Sequence, residues 1–129
     1  MIVTRTTHII KRAEVKANSD ILYLFGDNLR RTGLGGQAKE MRYEPNTIGI
    51  VTKKYPSNSE SSFMTDDEFA DNRVRIAEDI QKVKDAWATG KYKSITIPLI
   101  GIGLAKLPEK APSTYQFLIE QLDSLNELK

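Results

Sequence analysis

Five consecutive apolar residues, Ile21-Leu22-Tyr23-Leu24-Phe25, leave this chain few folds to choose from. Successive side chains of a strand point to opposite faces, so a strand with no polar alternation is buried on both sides. The run is too short for a helix and is bounded by Asp20 and Gly26. It calls for a sheet with a layer of structure on each face. Thr47 to Thr52, introduced by the turn pair Pro45-Asn46, reads as a second strand of that sheet. Ser94 to Ile100 reads as a third, but Pro98 removes a ladder donor, so the strand must end, bulge or lie at an edge there. Ile2 to Thr6 and His8 to Arg12 read as short strands near an edge.

The covering layers are helical. Thr65 and Glu68 are spaced as a capping box, and Phe69, Ile76, Ile80, Val83 and Trp87 behind them form one apolar stripe that Gly90 is placed to end. Ser113 and Gln116 are spaced as a second box, followed by Tyr115, Leu118, Leu122 and Leu125. A shorter helix is expected from Gly36-Gln37-Ala38 to Arg42. Strands alternating with helices predict an α/β fold, a mostly parallel central sheet flanked by helices in three layers, over residues 1–129 as one domain. Asn58 to Met64 reads as a mobile loop.

Composition excludes more than it suggests. There is no cysteine and one histidine, His8, which removes disulfides, thiolate metal sites and multi-histidine centres; no metal and no cofactor are expected. A net charge of +2 gives no strong nucleic-acid signal, although Lys11, Arg12, Lys53, Lys54, Lys91 and Lys93 keep weak nucleic-acid binding as an alternative. No apolar run approaches the ~20 residues that span a bilayer, and Met1 to Arg12 lacks a signal-peptide layout, so a cytoplasmic protein is expected.

Ligands of open α/β sheets bind beyond the carboxyl ends of the strands. Two loops leaving strand ends there, Gly26 to Ala38 and Gly101 to Pro108, hold six of the eight glycines. Glycine allows positive φ and close approach, so consecutive N–H groups can face one anion, and the helix after Gly36 would add its own free N–H groups. Two such loops side by side suit a diphosphate; tight turns alone are the other reading. Gly33-x-Gly35-x-x-Ala38 is not a dinucleotide fingerprint, because Gly33 lies eight residues past Phe25 rather than at the strand end. No glycine is followed by Gly-Lys-Ser/Thr at P-loop spacing, which removes the main support for kinase or ATPase activity.

Asn28, a spacer and Gly33-Leu34-Gly35-Gly36-Gln37-Ala38 together resemble the first ligand loop of macro domains, and Ile97-Pro98-Leu99-Ile100-Gly101-Ile102-Gly103-Leu104 resembles their second. Thr52-Lys53-Lys54 and Gly101 to Leu107 are most similar to the subgroup containing terminal ADP-ribose protein glycohydrolase. The resemblance covers roughly residues 19 to 122, and small proteins of this kind also occur in phages. It implies a domain whose partner is an ADP-ribose-type small molecule or an ADP-ribosylated macromolecule. Asn28 would contact the distal ribose beside Gly33, Gly35, Gly36 and Gln37, while Gly101 and the amides of Ile102, Gly103 and Leu104 would hold the diphosphate. Asp20 stands where the family often has an acidic residue, or is a strand-start turn residue. The family's adenine-contacting Asp has no counterpart.

The resemblance also implies chemistry. Glycohydrolases of the similar subgroup use a lysine as nucleophile toward the ribose C1, aided by an aspartate in the second loop. Lys53 aligns with that lysine and would need a lowered pKa, or is a solvated strand-end residue; the aspartate position reads Ala105. Asp27 is a candidate base from the opposite loop for hydrolysis of a group from the distal ribose, an ADP-ribosyl ester or 1''-phosphate, or is a turn residue accepting backbone N–H bonds. A non-catalytic reader is the alternative that Ala105 favours. At most one of Arg30 and Arg31 is expected to face the site. Lys106 either reaches the diphosphate or starts an exposed turn. Trp87, Tyr115 and Phe117 are expected in the core, and Tyr55 and Phe63 are candidates to stack on the ligand.

Overall fold

A computed structural model describes residues 2–129. Four strands form one sheet in the order β1-β4-β2-β3: β1 Val3–Arg5, β2 Ile21–Asn28, β3 Thr47–Lys53 and β4 Ser94–Ile97, every pair parallel. The helices are α1 Arg12–Ala17, α2 Ala38–Met41, α3 Phe69–Ala88, α4 Leu107–Lys110 and α5 Pro112–Ser124. None is long and apolar enough to cross a membrane.

The apolar run behaves as its pattern requires. Leu22 and Leu24 face a core shared with Ile76, Ile80 and Val83 of α3 and Leu118 and Leu122 of α5, whereas Tyr23 and Phe25 face Ile10, Val15, Ala38 and Met41 beside α1 and α2. The sheet is thus the middle of three layers. Trp87, Tyr115 and Phe117 pack on the larger core. Asn72 Nδ2 donates to Thr114 Oγ1 at 2.9 Å and joins α3 to α5 between those apolar contacts.

Several local expectations are corrected. Residues 8–11 form no strand. Ile10 is fully buried, but its N–H donates to Gln37 Oε1 at 2.9 Å and its carbonyl accepts from Gln37 Nε2 at 2.6 Å. One side-chain amide supplies the donor and acceptor that a neighbouring strand would have offered. β4 stops at Ile97, immediately before Pro98, because proline cannot continue the ladder. The box at Thr65 and Glu68 forms and opens a short 3-10 turn, Asp66–Glu68, that leads into α3. The one at Ser113 and Gln116 does not: Pro112 starts α5, and the Ser113 N–H and hydroxyl both donate to Asp66. Asn58 to Met64 is anchored rather than loose. Phe63 bridges Lys53 in antiparallel fashion, Lys54 N–H donates to the Ser62 carbonyl at 2.7 Å, and Phe63 and Met64 are buried.

β3 is an edge strand, and its outer groups are occupied by side chains. Asp79 of α3, wholly buried, accepts the Val51 N–H at 2.8 Å, and its two oxygens accept from Arg31 Nη2 at 2.7 and 2.9 Å. Arg31 also donates to the Gly49 carbonyl at 3.2 Å. Gly49 itself lies against Asp27: a Cβ there would stand 2.5 Å from Oδ2 and 2.8 Å from the Asp27 Cβ. Gly49→Ala is therefore expected to lower stability by about 1–3 kcal/mol, the usual cost of overpacking, read from urea unfolding midpoints.

Candidate functional site

A cavity of about 450 Å³ opens at the carboxyl ends of β2, β3 and β4. That is the end of a parallel sheet where strand tips and the loops leaving them converge. Gly33, Gly35, Gly36 and Gln37 line it from the loop after β2, and Gly101, Ile102, Gly103, Leu104 and Ala105 from the loop after β4. Asp27, Asn28, Thr52 and Lys53 form its floor from the strand ends. Asp20 is not among them. It lies at the opposite end of the sheet, about 25 Å of strand away, and pairs with Lys93 at 3.2 Å.

A register shift sets the floor. Asp27 pairs with Val51, but Asn28 pairs with Lys53, so Thr52 is passed over. Paired residues of parallel strands stand side by side, and the shift brings Lys53 beside Asn28. The Thr52 hydroxyl donates to the Asp27 carbonyl at 3.3 Å inside the irregularity.

The first loop is shaped by side chains that the sequence pattern does not single out. Arg42, buried after α2, donates to Asp27 Oδ1 at 2.5 Å and Oδ2 at 3.2 Å, and to the carbonyls of Gly33 at 2.8 Å and Thr32 at 3.1 Å. Asn28 uses both ends of its amide within the loop, donating to the Thr32 carbonyl at 2.7 Å and accepting the Arg30 N–H at 2.9 Å. Gly33 has φ +94° and faces Pro56, where a Cβ would come within 2.9 Å. Arg31 leaves for Asp79, and Arg30 lies over the Tyr55 ring at 5.0 Å, so neither arginine enters the cavity. α2, at four residues, is too short to supply a useful dipole, and the N–H groups of the loop itself are the available donors.

The second loop is turned by Gly101 at φ +85°, whose carbonyl accepts the Leu107 N–H at 2.8 Å and so starts α4. Among the described residues, the N–H groups of Ile102, Gly103 and Leu104 have no backbone acceptor, nor do those of Gly35 and Gly36 opposite. Leu104 leans across the gap, 3.0 Å from where a Gly35 Cβ would stand and 3.7 Å from one on Gly36. Large apolar side chains ring the mouth: Ile9, Leu99, Ile102 and Leu104 are each 40–54% exposed.

Electrostatically, the two candidate catalytic groups differ. Asp27 is buried in an ion pair with Arg42, with Arg31 at 3.6 Å, and accepts the Asn28 N–H at 2.8 Å. Its carboxylate holds the loop, with Arg42 on both oxygens and the Asn28 N–H on Oδ1. Lys53 is buried, has Asn58 Oδ1 at 3.3 Å, and lies over Phe63 at 5.0 Å. Burial, with the Lys106 ammonium nearby, holds its pKa below that of an ordinary lysine. Among the described residues no cluster of three acidic or histidine side chains is arranged to hold a metal ion.

A family of unknown function, DUF7831, matches residues 5–121, which include both loops and every residue lining the cavity. The chain belongs to that family. No curated protein and no solved structure matches it.

Replacing Asp27 with Ala strands the Arg42 guanidinium among buried groups, and should cost about 3–5 kcal/mol of stability by chemical denaturation. Lys53→Met should act in the opposite direction. A lysine whose folded pKa lies below its unfolded value binds fewer protons when folded, so its penalty is complete below the folded pKa and fades as pH rises toward the unfolded one. The stability gained in Lys53→Met should therefore be largest near neutral pH and shrink toward pH ~10.5, measured by thermal unfolding across pH.

Proposed function

We propose that this chain binds a ligand of the ADP-ribose type, with its diphosphate between the two glycine loops. The observation that carries this is the pairing of two loops whose N–H groups lack backbone partners, facing each other across one cavity at the carboxyl ends of a parallel sheet. Arg42 and Asn28 fix the first loop from beneath and leave its glycine backbone toward the ligand. The cavity volume falls within the range of small-molecule sites, and its apolar rim suits the base and ribose faces of a nucleotide. The resemblance of both loops to those of macro domains agrees with this reading.

Turnover is a second reading, supported by the desolvated Lys53 on the cavity floor. A lysine with a depressed pKa is unprotonated more often, and its amine could attack the distal ribose C1 of a bound ADP-ribosyl ester or 1''-phosphate. The bond from C1 to the departing ester or phosphate oxygen breaks as the C–N bond forms, and water later releases the sugar. Asp27 takes no part as a base in this scheme, and Ala105 supplies no carboxylate. Without turnover, the same site would read ADP-ribose on a macromolecule.

Calorimetric titration with free ADP-ribose is the test. Micromolar affinity is expected in the native protein and a loss of at least tenfold in Gly35→Glu. That substitution strains no positive φ and meets only the exposed tip of Leu104. No heat with the native protein overturns the proposal. If binding holds, release of phosphate or of the free carboxylic acid from the two derivatives, abolished in Lys53→Ala, would establish turnover.

A further inference from the structure

Three lysines surround one aromatic ring beside the cavity. The Nζ atoms of Lys53, Lys106 and Lys110 lie 5.0, 5.7 and 5.2 Å from the centroid of Phe63. No two of them can be more than about 11 Å apart. Different parts of the chain bring them together. Phe63 is tied to the end of β3 by its bridge to Lys53, and Lys106 and Lys110 sit one helical turn apart, the Lys110 N–H donating to the Lys106 carbonyl at 2.9 Å. Lys106 holds a left-handed conformation, φ +50°, at the start of α4.

Like charges do not gather without a reason. Lys110 has Glu60 at 2.7 Å, and neighbouring Lys54 has Glu68 at 3.0 Å. Lys53 and Lys106 have no carboxylate within ion-pair distance among the described residues, and Lys53 is 92% buried with only Asn58 as polar contact. A desolvated ammonium without a counter-ion is costly, and a correctly placed anion offsets that cost. The ring relieves part of it, since the electron-rich face of Phe63 attracts a cation. Two unpaired ammonium groups remain, which match a dianion better than a carboxylate.

We propose that Lys53 and Lys106, flanked by Lys110, form an anion subsite that takes a phosphate group. The subsite adjoins the cavity, because Lys53 and Ala105 line it and Lys106 follows Ala105 directly. The alanine is small and neutral, so the wall between the two lysines carries no internal counter-ion. The phosphate is either free orthophosphate or a phosphoryl group on the ligand in the cavity, and the loop N–H groups play no part in holding it. A bound dianion keeps Lys53 protonated, so in this state Lys53 is a binding residue and not a nucleophile.

Inorganic phosphate titrated into the full chain at constant ionic strength, with chloride as the balancing anion, tests this by phosphorus NMR or calorimetry. Millimolar, phosphate-specific binding is expected, weakened tenfold or more in Lys106→Glu and in Lys53→Met. Lys106 is exposed, so its variant should fold as the native chain does. Phosphate that binds no better than chloride overturns the proposal. So does phosphate that binds Lys106→Glu as tightly as the native protein, which would place the ion in the glycine loops. Repeating the titration at saturating ADP-ribose separates the sources: unchanged affinity supports free phosphate beside the ligand, and mutual exclusion supports a phosphoryl group carried in the same space. The phosphate result stands even if ADP-ribose itself fails to bind.

Discussion

Arg42 reaches from the end of α2 into the mouth of the sheet, where Asp27 meets it with both carboxylate oxygens. Buried ion pairs hold a fold together less by their net energy than by the penalty of leaving either member alone. Here the pair is also a scaffold. The arginine's remaining N–H groups hold the Thr32 and Gly33 carbonyls, so one guanidinium ties the glycine loop to the strand-end carboxylate. Gly49 opposite has no side chain because the carboxylate occupies that space. Strand, turn and loop therefore share one charge contact, which accounts for a carboxylate buried at the edge of the cavity.

The same logic separates the groups that build the site from those left available to a ligand. Asp27, Asn28, Gln37, Arg31 and Arg42 all direct their polar atoms to the protein itself. The cavity is otherwise lined by the backbone of two loops, whose N–H groups lack backbone acceptors, and by the buried Lys53 amine, whose one polar contact is Asn58. Such a site is organised before anything binds, and binding need not reorder side chains to meet a charge.

Much of this was legible in the residues. The unbroken apolar run demanded a covered sheet, and the helical stripes supplied the covers. Both glycine loops fell at one cavity because strands in a parallel sheet share a carboxyl end. Long-range side-chain partnerships were not legible, since no local pattern connects Arg42 to Asp27 or Arg31 to Asp79 across the chain. His8 to Arg12 looked like a strand because Ile9 and Ile10 are apolar, yet a glutamine side chain occupies the place of the neighbouring strand. Asp20 had the right residue type at the wrong end of the strand. Lys106 and Lys110 did carry a signal, their four-residue spacing, but the ring they share lies more than forty residues earlier.

The ion pair along β3 has a consequence for how copies of this chain meet one another. Arg31 and Asp79 occupy the Gly49 carbonyl and the Val51 N–H, an acceptor and donor that an incoming extended segment would otherwise use. Natural sheets are vulnerable at such margins, where one molecule can template the next. In this protein two charged side chains act as a selvedge, the finished border that keeps a fabric from being extended. Loss of either one would do more than loosen a helix. It would expose a hydrogen-bonding seam at the spacing of a strand, and local damage could then spread by recruitment of other chains.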